Sequence, residues 1–225
     1  MAKENTQKGE ASIAGKLLNF IQRNRKGLLI FLCCAVLGTI AYAVGYSIKE
    51  SSDKKSIAQL DEYVEKYSEL WLSISGGTDN AEVDAFIADL TGFAKKKSGY
   101  SGAQAYLILG DIYAEREEWA KAEEVLVLSA AKAPGIFLAP VALFNAAVAA
   151  EEQGNPIKAI DYYTQASEYK GFFAGKSRAY FAIGRLYETQ QDTSSALEMY
   201  RKVVDDWSSD EWSKLAQNRI IVLSN

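Results

Sequence analysis

Carboxylates are the one residue class in this chain spaced for acid/base chemistry. Four adjacent pairs occur: Glu117-Glu118, Glu123-Glu124, Glu151-Glu152 and Asp205-Asp206. Neighbouring residues on a helix do not face each other, so these pairs are expected to be solvated helix faces and not acid/base dyads. The remaining catalytic vocabulary is missing. The sequence has no histidine, which excludes His-based triads, His-ligated zinc and imidazole proton transfer. Its two cysteines, Cys33 and Cys34, are adjacent inside an apolar run and cannot staple a long loop; they read as small apolar residues. It has no phosphate-binding loop, no Gly-x-Ser-x-Gly elbow and no cluster of metal ligands. Trp71, Trp119, Trp207 and Trp212 read as packing residues. These absences predict a protein without enzymatic activity, cofactor or metal.

The elements that position these residues are predicted to be helical. The chain has 225 residues, 48% hydrophobic and 24% charged, with three prolines, a composition that folds and favours helices. Its net charge of −4 is unevenly spread. Residues 1–26 carry six Lys/Arg against Glu4 and Glu10, and the portion from Lys49 onward is acidic. An acidic bulk is a poor electrostatic match for nucleic acid.

Between the two charge regimes lie residues 27–48, which contain no charge at all. As a helix they would span roughly 33 Å, the thickness of a bilayer's hydrocarbon core. Arg23, Arg25 and Lys26 flank the run, so the positive-inside rule predicts a single-pass anchor with a cytoplasmic N-terminus. In a bacterium the remainder would then be periplasmic, on the inner (cytoplasmic) membrane. Ala41-Tyr42-Ala43 leaves a second reading open, cleavage as a secretory signal near Ala43. The 26 residues before the run and its continuation to Ile48 favour the anchor. A buried core helix would need partners covering an apolar surface on all sides. Ala41 and Gly45 form a small-xxx-small pair of the kind that lets helices approach closely, a common occurrence in apolar helices.

Residues 49–99 read as a helical pair. Ile57, Leu60, Tyr63, Tyr67, Leu70 and Trp71 recur at helical spacing, and residues 76–80 interrupt them. Val83, Phe86, Ile87, Leu90 and Phe93 mark the second helix, which Asp79 or Asn80 can cap. Lys95, Lys96 and Lys97 end it, as cations at a helix C-terminus should.

From residue 100 a repeat takes over. Tyr106, Leu109, Gly110, Tyr113, Ala122, Leu126, Ser129 and Pro134 match the tetratricopeptide pattern at all eight positions. Thirty-seven residues on, Leu143, Ala146, Ala147, Ala150, Ala159, Tyr163, Ala166 and Gly171 fit at five. After another 37, Tyr180, Ile183, Gly184, Tyr187, Ala196, Tyr200, Val203 and Ser208 fit at six. Gly110, Ala147 and Gly184 should mark helix crossings, opposite Ala122, Ala159 and Ala196. Leu126, Tyr163 and Tyr200 should fill space toward the next unit. The predicted fold is all-α: one N-terminal transmembrane helix, then a solenoid of three repeats (about 103–136, 140–173 and 177–210) closed by a helix at 211–223.

In such a solenoid the first helix of each unit lines a concave groove. The groove positions are Gln104, Leu107, Asp111 and Ala114; Val141, Phe144, Val148 and Glu151; and Arg178, Phe181, Arg185 and Glu188. Leu107, Phe144 and Phe181 are equivalent and predict an apolar stripe for a protein partner, unless residues 136–138 or the C-terminal helix cover it. Only Arg178 and Arg185 are cationic there, which argues against a clamp for a C-terminal carboxylate.

The order of cationic start, apolar run, helical pair, degenerate repeats and the ending Gln217-x-x-Ile220-x-x-Leu223-Ser224 resembles the YfgM-like ancillary subunits of the bacterial SecYEG translocon. The resemblance implies a periplasmic, membrane-anchored repeat domain working beside a PpiD-like chaperone. It would bind newly exported chains without catalysis. The alternative is a scaffold of another envelope assembly, such as outer-membrane protein insertion or cell-wall synthesis.

Overall fold

The computed structural model describes the backbone of residues 2–76 and 81–224; the side chains of residues 1–14, 17, 19, 21 and 28–33 are not described. All elements among the described residues are helices: α1 (Ala2–Ser75), α2 (Ala81–Lys96), α3 (Gly99–Glu115), α4 (Trp119–Lys132), α5 (Leu138–Glu152), α6 (Pro156–Ser167), α7 (Lys176–Thr189), α8 (Thr193–Asp206) and α9 (Glu211–Leu223). The chain divides into two compact units, Met1–Lys54 and Lys55–Asn225, and α1 contributes to both.

The first unit is helix interrupted at Asn24, whose backbone leaves helical geometry (φ −108°, ψ 15°). Val36, Leu37, Ile40, Tyr42, Val44, Tyr46 and Ile48 all lie exposed on it, as does the free thiol of Cys34. Among the described residues no helix is long and apolar enough to cross a membrane. Residues 28–33 of the apolar run, Cys33 included, lie outside the described side chains, as do Asp79 and Asn80.

The second unit is a succession of helical hairpins, each helix packed on the next from α2 to α9. Alternate helices also meet, α3 with α5 and α7 with α9, which sets the first helices of successive units side by side. Glycine explains the close crossings. A Cβ on Gly184 would stand 2.8 Å from Tyr200 Cε1, and one on Gly110 would stand 2.5 Å from Leu126 Cδ2. Leu126 and Tyr200 thus cover the glycines of their own units, and each also shares a core with the helix that follows, Leu126 with Leu138 and Ala142 and Tyr200 with Ala216. The middle unit is alanine-rich for a related reason. Ala142, Ala146 and Ala149 of α5 join the core shared with α3 and α4, while Ala147 and Ala150 join that of α6 and α7. A helix squeezed on two sides admits only small residues.

The hairpin before the repeats is built differently. Tyr63 of α1 stacks on Phe86 (6.1 Å) and Phe93 (4.9 Å) of α2, and its hydroxyl donates to Asp89 (2.9 Å). Rings at the crossing leave a cleft of about 510 Å³ between these two helices, bridged by Lys66 and Glu82 at 2.5 Å.

The turns inside the three repeat hairpins are alike. Glu117, Gly154 and Gln191, one 37-residue period apart, take left-handed conformations (φ 57°, 71° and 63°). In each the next residue donates its N–H across the turn: Glu118 to Tyr113, Asn155 to Ala150 and Asp192 to Tyr187. This is the Schellman closure, which satisfies carbonyls a helix end leaves orphaned. Asn155 and Asp192 then cap the following helices by accepting from Lys158 N (3.2 Å) and Ser195 N (3.1 Å).

Candidate functional site

Two of the three junctions between successive repeat units carry the same polar bracket. Glu151 on α5 accepts from the Tyr163 hydroxyl of α6 (2.6 Å) and from the Arg185 guanidinium of α7. One period later Glu188 on α7 accepts from Tyr200 of α8 (2.9 Å) and from Arg219 of α9. Each bracket ties the two helices of one unit to the first helix of the next. Burial and the bond to a carboxylate push both tyrosine hydroxyls well above their ordinary range. Burial would raise the Glu188 carboxyl, but the bonds from Arg219 and Tyr200 outweigh it and hold the group below its usual value. The sequence reading placed Glu151, Arg185 and Glu188 in the groove without seeing that they pair. The signal was available in the recurrence of Glu and Tyr at the 37-residue spacing.

The first junction lacks the bracket. Ala114, Leu126 and Val148 stand one period before Glu151, Tyr163 and Arg185, and a cleft of about 260 Å³ opens there. Its walls include Trp119, Phe144 and Asn145, with Asp111 from α3 and Arg178 from α7. Asp111 has its pKa raised to about 6, first by burial and then by the neighbouring Glu115. Burial and then the charge of Asp111 raise the Tyr67 hydroxyl of α1 in turn. Arg178 lies over the Phe144 ring (4.9 Å) and the Trp212 ring (5.6 Å). The cleft is thus an apolar slot with one carboxylate and one guanidinium of opposite sign.

The predicted apolar stripe is largely covered. Leu107 is 9% exposed and packs in the core with Leu138 and Ala142. Phe144 is 8% exposed, stacked by Tyr163 (5.0 Å) and Phe173 (6.2 Å). Phe181 is half-buried between Tyr200 and Trp212 of the closing helix, both at 5.3 Å. The stripe is a seam between units, and the accessible groove is the cleft beside it, where Asp111, Val148 and Arg178 meet. Trp119 and Asn145 belong to that cleft although the sequence reading gave Trp119 to packing and passed over Asn145.

The packing positions of the repeat fall as follows. Tyr106, Leu109, Ala122, Ala147, Ala159, Gly184 and Ala196 are buried; Tyr113, Tyr180 and Tyr187 are half-buried; Pro134 is exposed after the end of α4. The carboxylate pairs are not all solvated faces. Glu123 is buried and accepts from Lys158 (2.7 Å), Gln153 (2.8 Å) and Tyr162 (3.0 Å), linking α4 to α6. Those bonds overcome the effect of burial and hold its carboxyl below the usual range. Glu124, Glu152, Asp205 and Asp206 are exposed. No three His, Cys, Asp or Glu residues among those described are grouped to hold a metal ion.

The profile of the tetratricopeptide repeat family matches residues 144–211, from Phe144 through α8 to the start of α9. The fold is that of a tetratricopeptide solenoid. A TPR repeat-containing protein of Treponema pallidum (strain Nichols) is 30% identical over 151 residues, covering 66% of this chain and 63% of that protein. The chain therefore spans less than two thirds of that relative's length. Among solved structures, BtubC (BKLC) from P. vanneervenii superposes with a TM-score of 0.51 at 16% identity, over 70% of this chain and 74% of the other. That likeness is one of fold.

Proposed function

We propose that the chain is a non-catalytic, membrane-anchored adaptor that holds a segment of another protein in the cleft of its first repeat junction. The observation that carries this reading is the missing bracket. Small residues at Ala114 and Val148 leave an apolar slot of about 260 Å³ on the face where the later junctions are closed. Apolar walls with a few polar groups at the rim suit the side chains of a bound helix or extended segment. The anchor is residues 27–48, whose apolar side chains from Val36 onward lie uncovered in the protein alone. The order of parts supports an inner-membrane protein with a periplasmic repeat domain that serves the Sec translocon and its chaperones.

Site-specific photocrosslinking in cells tests this, with the probe at Asn145 in the cleft and a control at the exposed Glu124. Crosslinks from Asn145 alone to translocon subunits, to a PpiD-like chaperone or to exported chains are the expected result. Crosslinks confined to an outer-membrane insertion or cell-wall complex would move the assignment to a scaffold of that assembly. Equal crosslinking from both positions would overturn the cleft as the site.

A further inference from the structure

Lys95, Lys96 and Lys97 end α2, and a helix dipole accounts for them in isolation. The fold adds more lysines to the same edge. Lys132, in the last turn of α4, donates from Nζ to the carbonyls of Lys95 (3.0 Å) and Lys97 (2.9 Å), so the ends of α2 and α4 lie together. One antiparallel helix separates α4 from α6, so α6 also ends toward this edge. The loop after it contributes Lys170, and Lys176 opens α7. Among the described residues none of these six lysines pairs with a carboxylate, whereas Lys66, Lys121, Lys158 and Lys202 all do.

Exposed aromatic residues stand in or beside the same three loops: Tyr100 in the first turn of α3 (42% exposed), Phe137 (58%) and Phe172 (84%). The acidic residue within them is Glu168. The opposite edge, where the hairpin turns lie, is acidic, with Glu115, Glu117 and Glu152 exposed. The last loop of the lysine edge differs, since Asp205, Asp206 and Asp210 surround it. The basic and aromatic character therefore belongs to the first three loops.

The geometry points to this edge as a docking surface for an anionic lipid bilayer. Lysines without carboxylate partners complement lipid phosphates, and aromatic side chains at loop tips partition to headgroup depth. Tyr100, Phe137 and Phe172 are spread over three successive connections between hairpins, which suits a fluid surface better than a single shaped peptide site. The inference rests on the proposal that residues 27–48 hold the chain at a membrane, because that tether keeps the edge near its target.

Amine-reactive footprinting of the full chain in phosphatidylcholine vesicles, with and without phosphatidylglycerol, tests it. Labelling of Lys95, Lys96 and Lys170 should fall several-fold only with the anionic lipid and return at high salt. Lys121 and Lys158, near the opposite edge, should stay equally reactive throughout. Phe172→Ser should restore labelling of Lys170 without changing the far-ultraviolet spectrum. Equal labelling in both lipids would overturn the docking surface while flotation with both still supports the anchor. Flotation only with anionic vesicles, with the lysines protected, would overturn the anchor and sustain the docking. Flotation with neither would overturn both. Protection that grows with protein concentration in the absence of lipid would assign the edge to an acidic protein surface instead.

Discussion

The first repeat junction and the two that follow share one backbone plan and differ in three side chains. Glu151, Tyr163 and Arg185 close the second junction, and Glu188, Tyr200 and Arg219 close the third. Ala114, Leu126 and Val148 occupy the places of Glu151, Tyr163 and Arg185 at the first, and a cleft results. The same period can thus give a sealed seam or an open slot. The choice lies in positions that the family pattern leaves largely unspecified. A polar bracket rigidifies a junction because each buried group needs its partners, whereas apolar residues of smaller volume leave room for a guest.

The largest effect should come from filling a crossing. Gly184→Val puts a branched side chain against the buried Tyr200 ring and should cost about 3 kcal/mol in urea unfolding. Gly110→Ala places its Cβ 2.5 Å from Cδ2 and 2.6 Å from Cγ of the buried Leu126, and should cost about 2 kcal/mol. A cost below about 1 kcal/mol at either position would show that the ring or the leucine can move aside. Next comes the bracket itself. Glu188→Ala strands the Tyr200 hydroxyl and should cost about 2 kcal/mol, with Glu188→Gln, which keeps an acceptor, costing roughly half as much.

The third test uses pH. The Asp111 pKa is raised to about 6, so the folded state binds a proton more tightly than the unfolded chain does. Its ionised form therefore opposes folding: stability should fall as pH rises through about 6, by on the order of 1–2 kcal/mol. Asp111→Asn should flatten that slope and be the more stable protein at neutral pH. Glu123 and Glu188 act in the opposite direction. Their lowered pKa values stabilise the fold above the ordinary carboxylate range, and that stability is lost as pH falls through their folded values. Their titration lies below the Asp111 window, so a thermal-melting series can separate the two. An unchanged slope in Asp111→Asn would place the cleft carboxylate in water.

The smallest change in stability, within about 1 kcal/mol, is expected from grafting the bracket onto the first junction. Ala114→Glu, Leu126→Tyr and Val148→Arg together should close the cleft, and crosslinking from a probe at Asn145 should fall about tenfold. Retained crosslinking in a folded triple variant would show that guests bind elsewhere.

Most of the helical architecture could be read in advance because its causes are local. Spacing alone placed Val83, Phe86, Ile87, Leu90 and Phe93 on one face of α2, and all five are buried. The small residues at Gly110, Ala122, Ala159, Gly184 and Ala196 marked the crossings. The site was harder to read, since it depends on side chains from three helices meeting in space. Phe144 looked like groove lining by position, but Phe173, from a loop with no periodicity, covers it. Glu123 looked solvated beside Glu124, yet its bonds come from residues 30 to 39 positions away. The turn residues Glu117 and Gln191 gave no glycine signal, although they adopt the same left-handed closure as Gly154.

Those turns have a consequence for the length of the solenoid. Three closures with one hydrogen-bond pattern, spaced 37 residues apart, make residues 138–174 a cassette. A tandem copy would bring its own turn and helix cap; Arg185 would close the bracket of the second copy, and Val148 would leave the junction between the copies without its arginine. Repeat number is therefore a variable that duplication or deletion can change without redesigning either end of the domain.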